Sequence, residues 1–92
     1  MAILAPNLHD FTLSRVVVDW EAKSAAFELL GPDGPRTLAA SGLAQIELTR
    51  DDPWGPSVSV NSVEIAEEDG LLRVTIGMQT GDLIRLRCAD VR

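Results

Sequence analysis

"SVEIAEEDGLLRVTIGMQTGDLIRLRC", residues 62–88, decides the fold. Asp69-Gly70 lies between two runs of alternating apolar and polar residues. Such a dipeptide marks a tight hairpin, because a type I′ turn needs positive φ at both central positions. A two-residue loop pairs Glu68 with Leu71, which sets Ile65 opposite Val74 and Val63 opposite Ile76. Turn chemistry and apolar pattern thus demand one register. The following turn demands an odd loop. A two-residue Thr80-Gly81 loop would put Ile76 beside Arg85 and mix the faces. A three-residue loop, Gln79-Thr80-Gly81, instead pairs Ile76 with Ile84, Val74 with Leu86 and Leu72 with Cys88. It predicts positive φ at Gly81 and a bulge there.

The same parity extends upstream. "RVVVDW" (15–20) and "AAFELL" (25–30) flank the polar "EAKS" (21–24). A four-residue loop there faces Trp20, Val18 and Val16 with Ala25, Phe27 and Leu29. "GPDGP" (31–35) then ends the strand, since its prolines cannot donate to a ladder. Between 38 and 48, Leu38, Ala40, Gly42, Ala44, Ile46 and Leu48 share one parity. This predicts one long strand bent at Gly42, or two segments sharing a face. A helix is the rival, because Leu38, Gly42 and Ile46 also recur at helical spacing. Val58 and Val60 are even whereas Val63 and Ile65 are odd, which predicts a bulge near Asn61-Ser62. Leu30, Leu43, Leu71 and Leu83 fall on the opposite parity and give the second face some apolar content. The expectation is one all-β domain over residues 1–92. It has six or seven antiparallel strands in a meander, forming a curved sheet, small barrel or sandwich.

Composition narrows the function classes. Ninety-two residues support one small core, drawn from Val, Ile, Leu and Ala because the chain has two Phe, two Trp and no Tyr. A single cysteine, Cys88, allows no internal disulfide and favours a reducing, cytoplasmic setting. The N-terminus has no basic region or apolar run of signal-peptide type, and no stretch is long enough for a membrane span. A net charge of −6 disfavours nucleic acid and favours cationic partners. Residues 1–69 hold 12 acids and 4 bases, residues 70–92 hold 2 acids and 4 bases. Neighbouring strands can neutralise that asymmetry by cross-strand pairs.

The candidate functional residues gather at two places. In "DDPWGPS" (51–57), Asp52, Pro53, Trp54 and Gly55 fit a type I turn, and Pro56 keeps Gly55 out of helical geometry. Such a rigid corner can present Trp54 as an anchor flanked by Asp51 and Asp52; the structural alternative is an indole packed down as a lid on the sheet end. His9-Asp10 offers a general base beside an acid, but neighbours on a strand point to opposite faces. No Ser or Cys arrangement can be tied to His9, and Cys88 is expected to face the core. Glu67-Glu68-Asp69 and Asp51-Asp52 lack the ligand spacing of a Ca²⁺ loop, and one His with one Cys does not make a zinc site. No metal, cofactor or phosphate-loop motif is expected.

His9-Asp10, the strand ending at Trp20, and Pro53-Trp54-Gly55-Pro56-Ser57 with Asn61 resemble a family of short bacterial β proteins akin to immunity-type proteins of polymorphic toxin systems. The resemblance implies no catalytic role. Two expectations follow. The first is a non-enzymatic module that engages a basic protein through Asp51, Asp52, Trp54 and Asn61. The second is a small-ligand-binding or enzymatic domain with a pocket near His9, Asp10 and Trp54. A sheet with an apolar face and unprotected edges also predicts a homodimer.

Overall fold

Asp69 and Gly70 both take positive φ, 53° and 81°, and the hairpin they close has the register demanded by the sequence. The structure is a computed structural model describing residues 6–92. β5 (Val60–Glu68) pairs antiparallel with β6 (Leu71–Met78), with Glu68 opposite Leu71, Ile65 opposite Val74 and Val63 opposite Ile76. Its register shifts between Val60 and Ser62, the bulge that the change of parity requires. β7 (Leu83–Cys88) sets Ile84 opposite Ile76, Leu86 opposite Val74 and Cys88 opposite Leu72. Gly81 has φ 94°, as the odd loop demands.

The other strands are β1 (Thr12–Asp19), β2 (Ser24–Gly31), β3 (Gly34–Ser41), β4 (Gln45–Leu48) and β8 (Asp90–Val91). Eight strands over the described residues, none of them helical, form two four-stranded antiparallel sheets, ordered β1-β2-β3-β8 and β4-β7-β6-β5. One core lies between them. Phe27, Leu29 and Leu38 come from the first sheet; Val74, Ile76 and Leu86 come from the second. Each is buried, and removing the largest, Phe27→Ala, costs about 3–5 kcal/mol on the usual cavity scale. Along one edge the sheets are tied together. Leu13 N–H donates to the Val58 carbonyl at 2.8 Å, and Val60 N–H donates to the Phe11 carbonyl at 2.8 Å.

The chain changes sheet at two corners that touch. Residues 38–48 are strand rather than helix, and they divide into β3 and β4 in different sheets. Both segments turn their even residues toward the core, so the shared parity survives the switch. Ala89 makes the second corner, between β7 and β8, and its N–H reaches the carbonyls of Ser41 (2.9 Å) and Gly42 (3.2 Å). Gly42 has φ 62°, and a Cβ there would stand 2.6 Å from that of Ala89. A side chain at 42 would therefore meet both backbone strain and a clash.

Three expectations need correction. The count is eight strands, because the two-residue β8 pairs with β3 through Ala40–Val91 and Ser41–Asp90. The first hairpin keeps its parity but slips by two, with Val18 opposite Ala25 and Val16 opposite Phe27. Asp19 explains the slip: its Oδ1 accepts the Ala22 N–H at 3.0 Å, which closes a turn over Trp20–Lys23 and leaves Trp20 outside the sheet. Leu43, assigned by parity to the second face, packs against the core at the first corner.

Candidate functional site

Asp82 governs the loop that carries Trp54. It opens the β7 arm on the same parity as Ile84, Leu86 and Cys88, so its carboxylate points inward and is buried. A buried carboxylate must be satisfied, and this one accepts four hydrogen bonds. Oδ1 takes the Asp51 N–H at 2.8 Å and the Thr49 hydroxyl at 3.1 Å. Oδ2 takes the Asp52 N–H at 3.0 Å and the Thr80 hydroxyl at 2.7 Å. Burial opposes ionisation, but the bonds from Thr80, the Asp51 and Asp52 backbone and Thr49 prevail. The carboxyl is held below the ordinary aspartate range. No buried side-chain nitrogen or oxygen among the described residues lacks a partner.

The clamp fixes the start of the corner, and the corner then closes on itself. Gly55 N–H donates to the Asp52 carbonyl at 3.1 Å, the bond of a turn with Pro53 second and Gly55 fourth. Gly55 leaves helical geometry, as Pro56 requires, through positive φ (106°). Trp54 N–H donates to the Thr80 carbonyl at 2.9 Å. Its indole then rests one face on Gly81, where an added Cβ would lie 2.8 Å from the ring. The residue is still 80% exposed, so Trp54 is not a buried lid. Of the flanking acids, Asp52 is half-buried and ion-paired with Arg50, whereas Asp51 is exposed.

His9 and Asp10 stand beside this corner. They precede β1 in a turn, and Asp10 has φ 67°. The alternation of a strand does not apply there, so their side chains do meet, with His9 Nδ1 3.2 Å from Asp10 Oδ2. Gln79, in the three-residue loop, donates from Nε2 to Asp10 Oδ1 at 2.6 Å and to the Val60 carbonyl at 3.2 Å. The Asp10 N–H reaches the same Val60 carbonyl at 2.9 Å. His9, Asp10, Trp54, Asn61 and Gln79 thus border one shallow, open depression with Met78 in its floor.

The sequence-derived residues converge except for Asp51 and Asp52, which serve the loop through their backbone N–H groups and do not line the depression. Asp82, Gln79 and Thr80 went unrecognised in the sequence. For Asp82 the signal was present: an acid at a core-side position must have partners. Cys88 is buried in the core as expected, and burial together with the nearby Asp90 charge pushes its thiol pKa up. Among the described residues, no group of three His, Cys, Asp or Glu side chains is placed to hold a metal ion, and no helix is long and apolar enough to cross a membrane.

No family model matches the sequence, and no curated protein does. Among solved structures, the chain is similar to an uncharacterized protein from Neisseria gonorrhoeae. The likeness covers 91% of this chain and 89% of that one, with a TM-score of 0.70 and 12% sequence identity. At that identity the likeness concerns the fold alone.

Proposed function

We propose that this chain is a non-enzymatic protein-binding module that engages a cationic segment of a partner protein at the Trp54 corner. The observation that carries this reading is an indole 80% exposed on a loop held by a buried carboxylate. An exposed aromatic held in one orientation loses little entropy on binding, and aromatic anchors dominate interface energetics. Asp10 borders the same depression and the exposed Asp51 lies on the same loop, so both add negative charge to this end of the molecule. A Lys or Arg side chain laid over the indole face would gain a cation–π contact as well as these carboxylates. The net charge of −6 would speed such an encounter in a salt-dependent way. The resemblance of His9-Asp10 and the Pro53–Ser57 loop to immunity-type proteins supports the same class, with a toxin domain as the kind of partner and the bacterial cytoplasm as the setting.

The small-ligand reading draws on the meeting of His9, Asp10, Asn61 and Gln79. Ligand pockets generally enclose most of the ligand surface. The depression here is open, which favours a protein segment lying across it.

Trp54→Ala tests the proposal. Partners recovered from the native lysate should be lost, or weakened about 30-fold for an anchor contributing about 2 kcal/mol. The melting temperature should change little, because the indole contributes one face to the fold. Retention of every partner by a folded variant would refute the proposal.

A further inference from the structure

Among the described residues, nothing covers the core along the side between β1 and β4, the terminal strands of the two sheets. Val18 lies opposite buried Ala25 and Leu48 lies opposite buried Ile84, so both belong to the core side. They are nevertheless 42% and 52% exposed. Val18, Trp20, Leu43 and Ile46 border one recess there, and Trp20 is 92% exposed. On the outer face of β1, Val17 is 41% exposed.

The strand edges differ in how they are protected. β4 has four residues and β8 two, too short to template much pairing. β5 carries a bulge between Val60 and Ser62 and the acids Glu64, Glu67 and Glu68, which would repel a like strand. β1 has none of these devices over residues 15–19. After the bulge between Leu13 and Arg15 it runs Arg-Val-Val-Val-Asp, with no Lys or Pro and no net charge.

That segment is complementary to itself. Laid antiparallel on a second copy about Val17, Arg15 faces Asp19 of the other chain and Val16 faces Val18. Val17 faces its own counterpart. Arg15 and Asp19 fall on the outer face, opposite Glu28 and Ser24 of β2, so the new charge pairs form on the solvated side. Arg15 Nε already lies 2.5 Å from Glu28 Oε2, which leaves it between two carboxylates in the pair. A slip of two residues loses both charge pairs, and a parallel arrangement sets like charges side by side. We infer that a second copy of this chain docks along β1, antiparallel about a twofold axis through Val17. The first sheet thereby continues across the axis, and each copy's Val16 and Val18 shield those of the other. Twofold pairing closes on itself, so it yields dimers and not filaments.

Light scattering on the full chain should return about twice the 9.9 kDa mass at high micromolar concentration. Val17→Lys should return the monomer and melt as the wild type does at dilutions where it is monomeric, because Val17 faces solvent in the single chain. Val17→Cys tests the register independently. Residues facing across an antiparallel pair stand about 4.5–5.5 Å apart between Cα atoms, within disulfide reach. Oxidised glutathione should therefore join two copies at position 17, taking one thiol hydrogen from each and being reduced to two glutathione thiols. Val18→Cys should not be joined, since position 18 faces position 16. A wild-type monomer at every concentration would overturn the inference, as would open-ended growth or equal joining at 18 and 17. The inference is independent of the Trp54 corner: Trp54→Ala should leave the dimer mass unchanged.

Discussion

The two tryptophans of this chain stand almost equally far into solvent, yet the structure treats them differently. Trp20 rides on a turn closed by Asp19 and by the Lys23 N–H to its own carbonyl at 3.3 Å, all within five residues of sequence. Trp54 rides on a loop held by Asp82 and Thr80 from a hairpin some thirty residues away. Local bonds leave the Trp20 indole free of the sheet; distant bonds seat the Trp54 indole on Gly81. Exposure alone does not distinguish a recognition residue. What distinguishes it is how much of the fold is committed to holding it still.

The largest expected effect tests that commitment at its source. Asp82→Ala leaves the Asp51 and Asp52 N–H groups without their acceptor, and it should lower the melting temperature on the order of 10 °C. Emission from Trp54 should become more readily quenched while that of Trp20 stays unchanged; separate Trp→Phe variants resolve the two signals. The effect should depend on pH with a defined sign. The folded-state pKa of Asp82 is lowered, so its stabilisation is complete above the ordinary aspartate value of 3.8 and is lost as pH falls below it. Wild type and Asp82→Asn should therefore differ most at neutral pH and converge in acid, as followed by thermal melts across pH. A gap that widens in acid would contradict the clamp.

A smaller effect isolates the indole contact. Gly81→Ala combines unfavourable φ with a methyl directed at the ring, and should cost about 1–3 kcal/mol. Gly34→Ala, at φ 114° with open space around it, carries the backbone cost alone. Adding Trp54→Ala should relieve part of the Gly81→Ala penalty and none of the Gly34→Ala penalty, a coupling that denaturant melts can measure. The smallest effect belongs to the other corner: Trp20→Ala should move stability by no more than about 0.5 kcal/mol. Partner recovery should also survive Trp20→Ala, since the β1 edge and the Trp54 corner are separate surfaces.

The hairpins from 62 to 88 could be read from sequence because two independent constraints, turn chemistry and face parity, allow one register each. Where parity acted alone the outcome was looser. It gave the correct faces for Val16 and Val18 but not the slip of two, which depends on a side-chain bond from Asp19 into its own turn. Parity also carried through residues 38–48 without revealing the change of sheet at Gly42–Ala44. A strand crossing from one side of a core to the other can keep its inward residues on the same parity, so the pattern is silent about the crossing. The small-ligand reading puts His9, Asp10 and Trp54 around one pocket, and they do border one depression; the sequence does not show Gln79 linking Asp10 to the Val60 carbonyl there. Strand alternation predicts opposite faces for His9 and Asp10, and the turn at Asp10 removes that alternation. Asp82 belongs to no recognisable motif, and only its inward parity sets it apart from the solvated acids of the first hairpin.

Cys88 has a practical consequence beyond packing. It is the chain's sole cysteine, it lies fully buried, and its sulfur resists ionisation. A thiol reagent can therefore react only when β7 parts from its neighbours. β7 is also the strand that holds Leu86 against Val74 and leads into β8, so its release approaches global unfolding. The rate of labelling at one natural atom becomes a stopwatch for how often this small sandwich opens. It runs without a dye, a denaturant or an engineered probe.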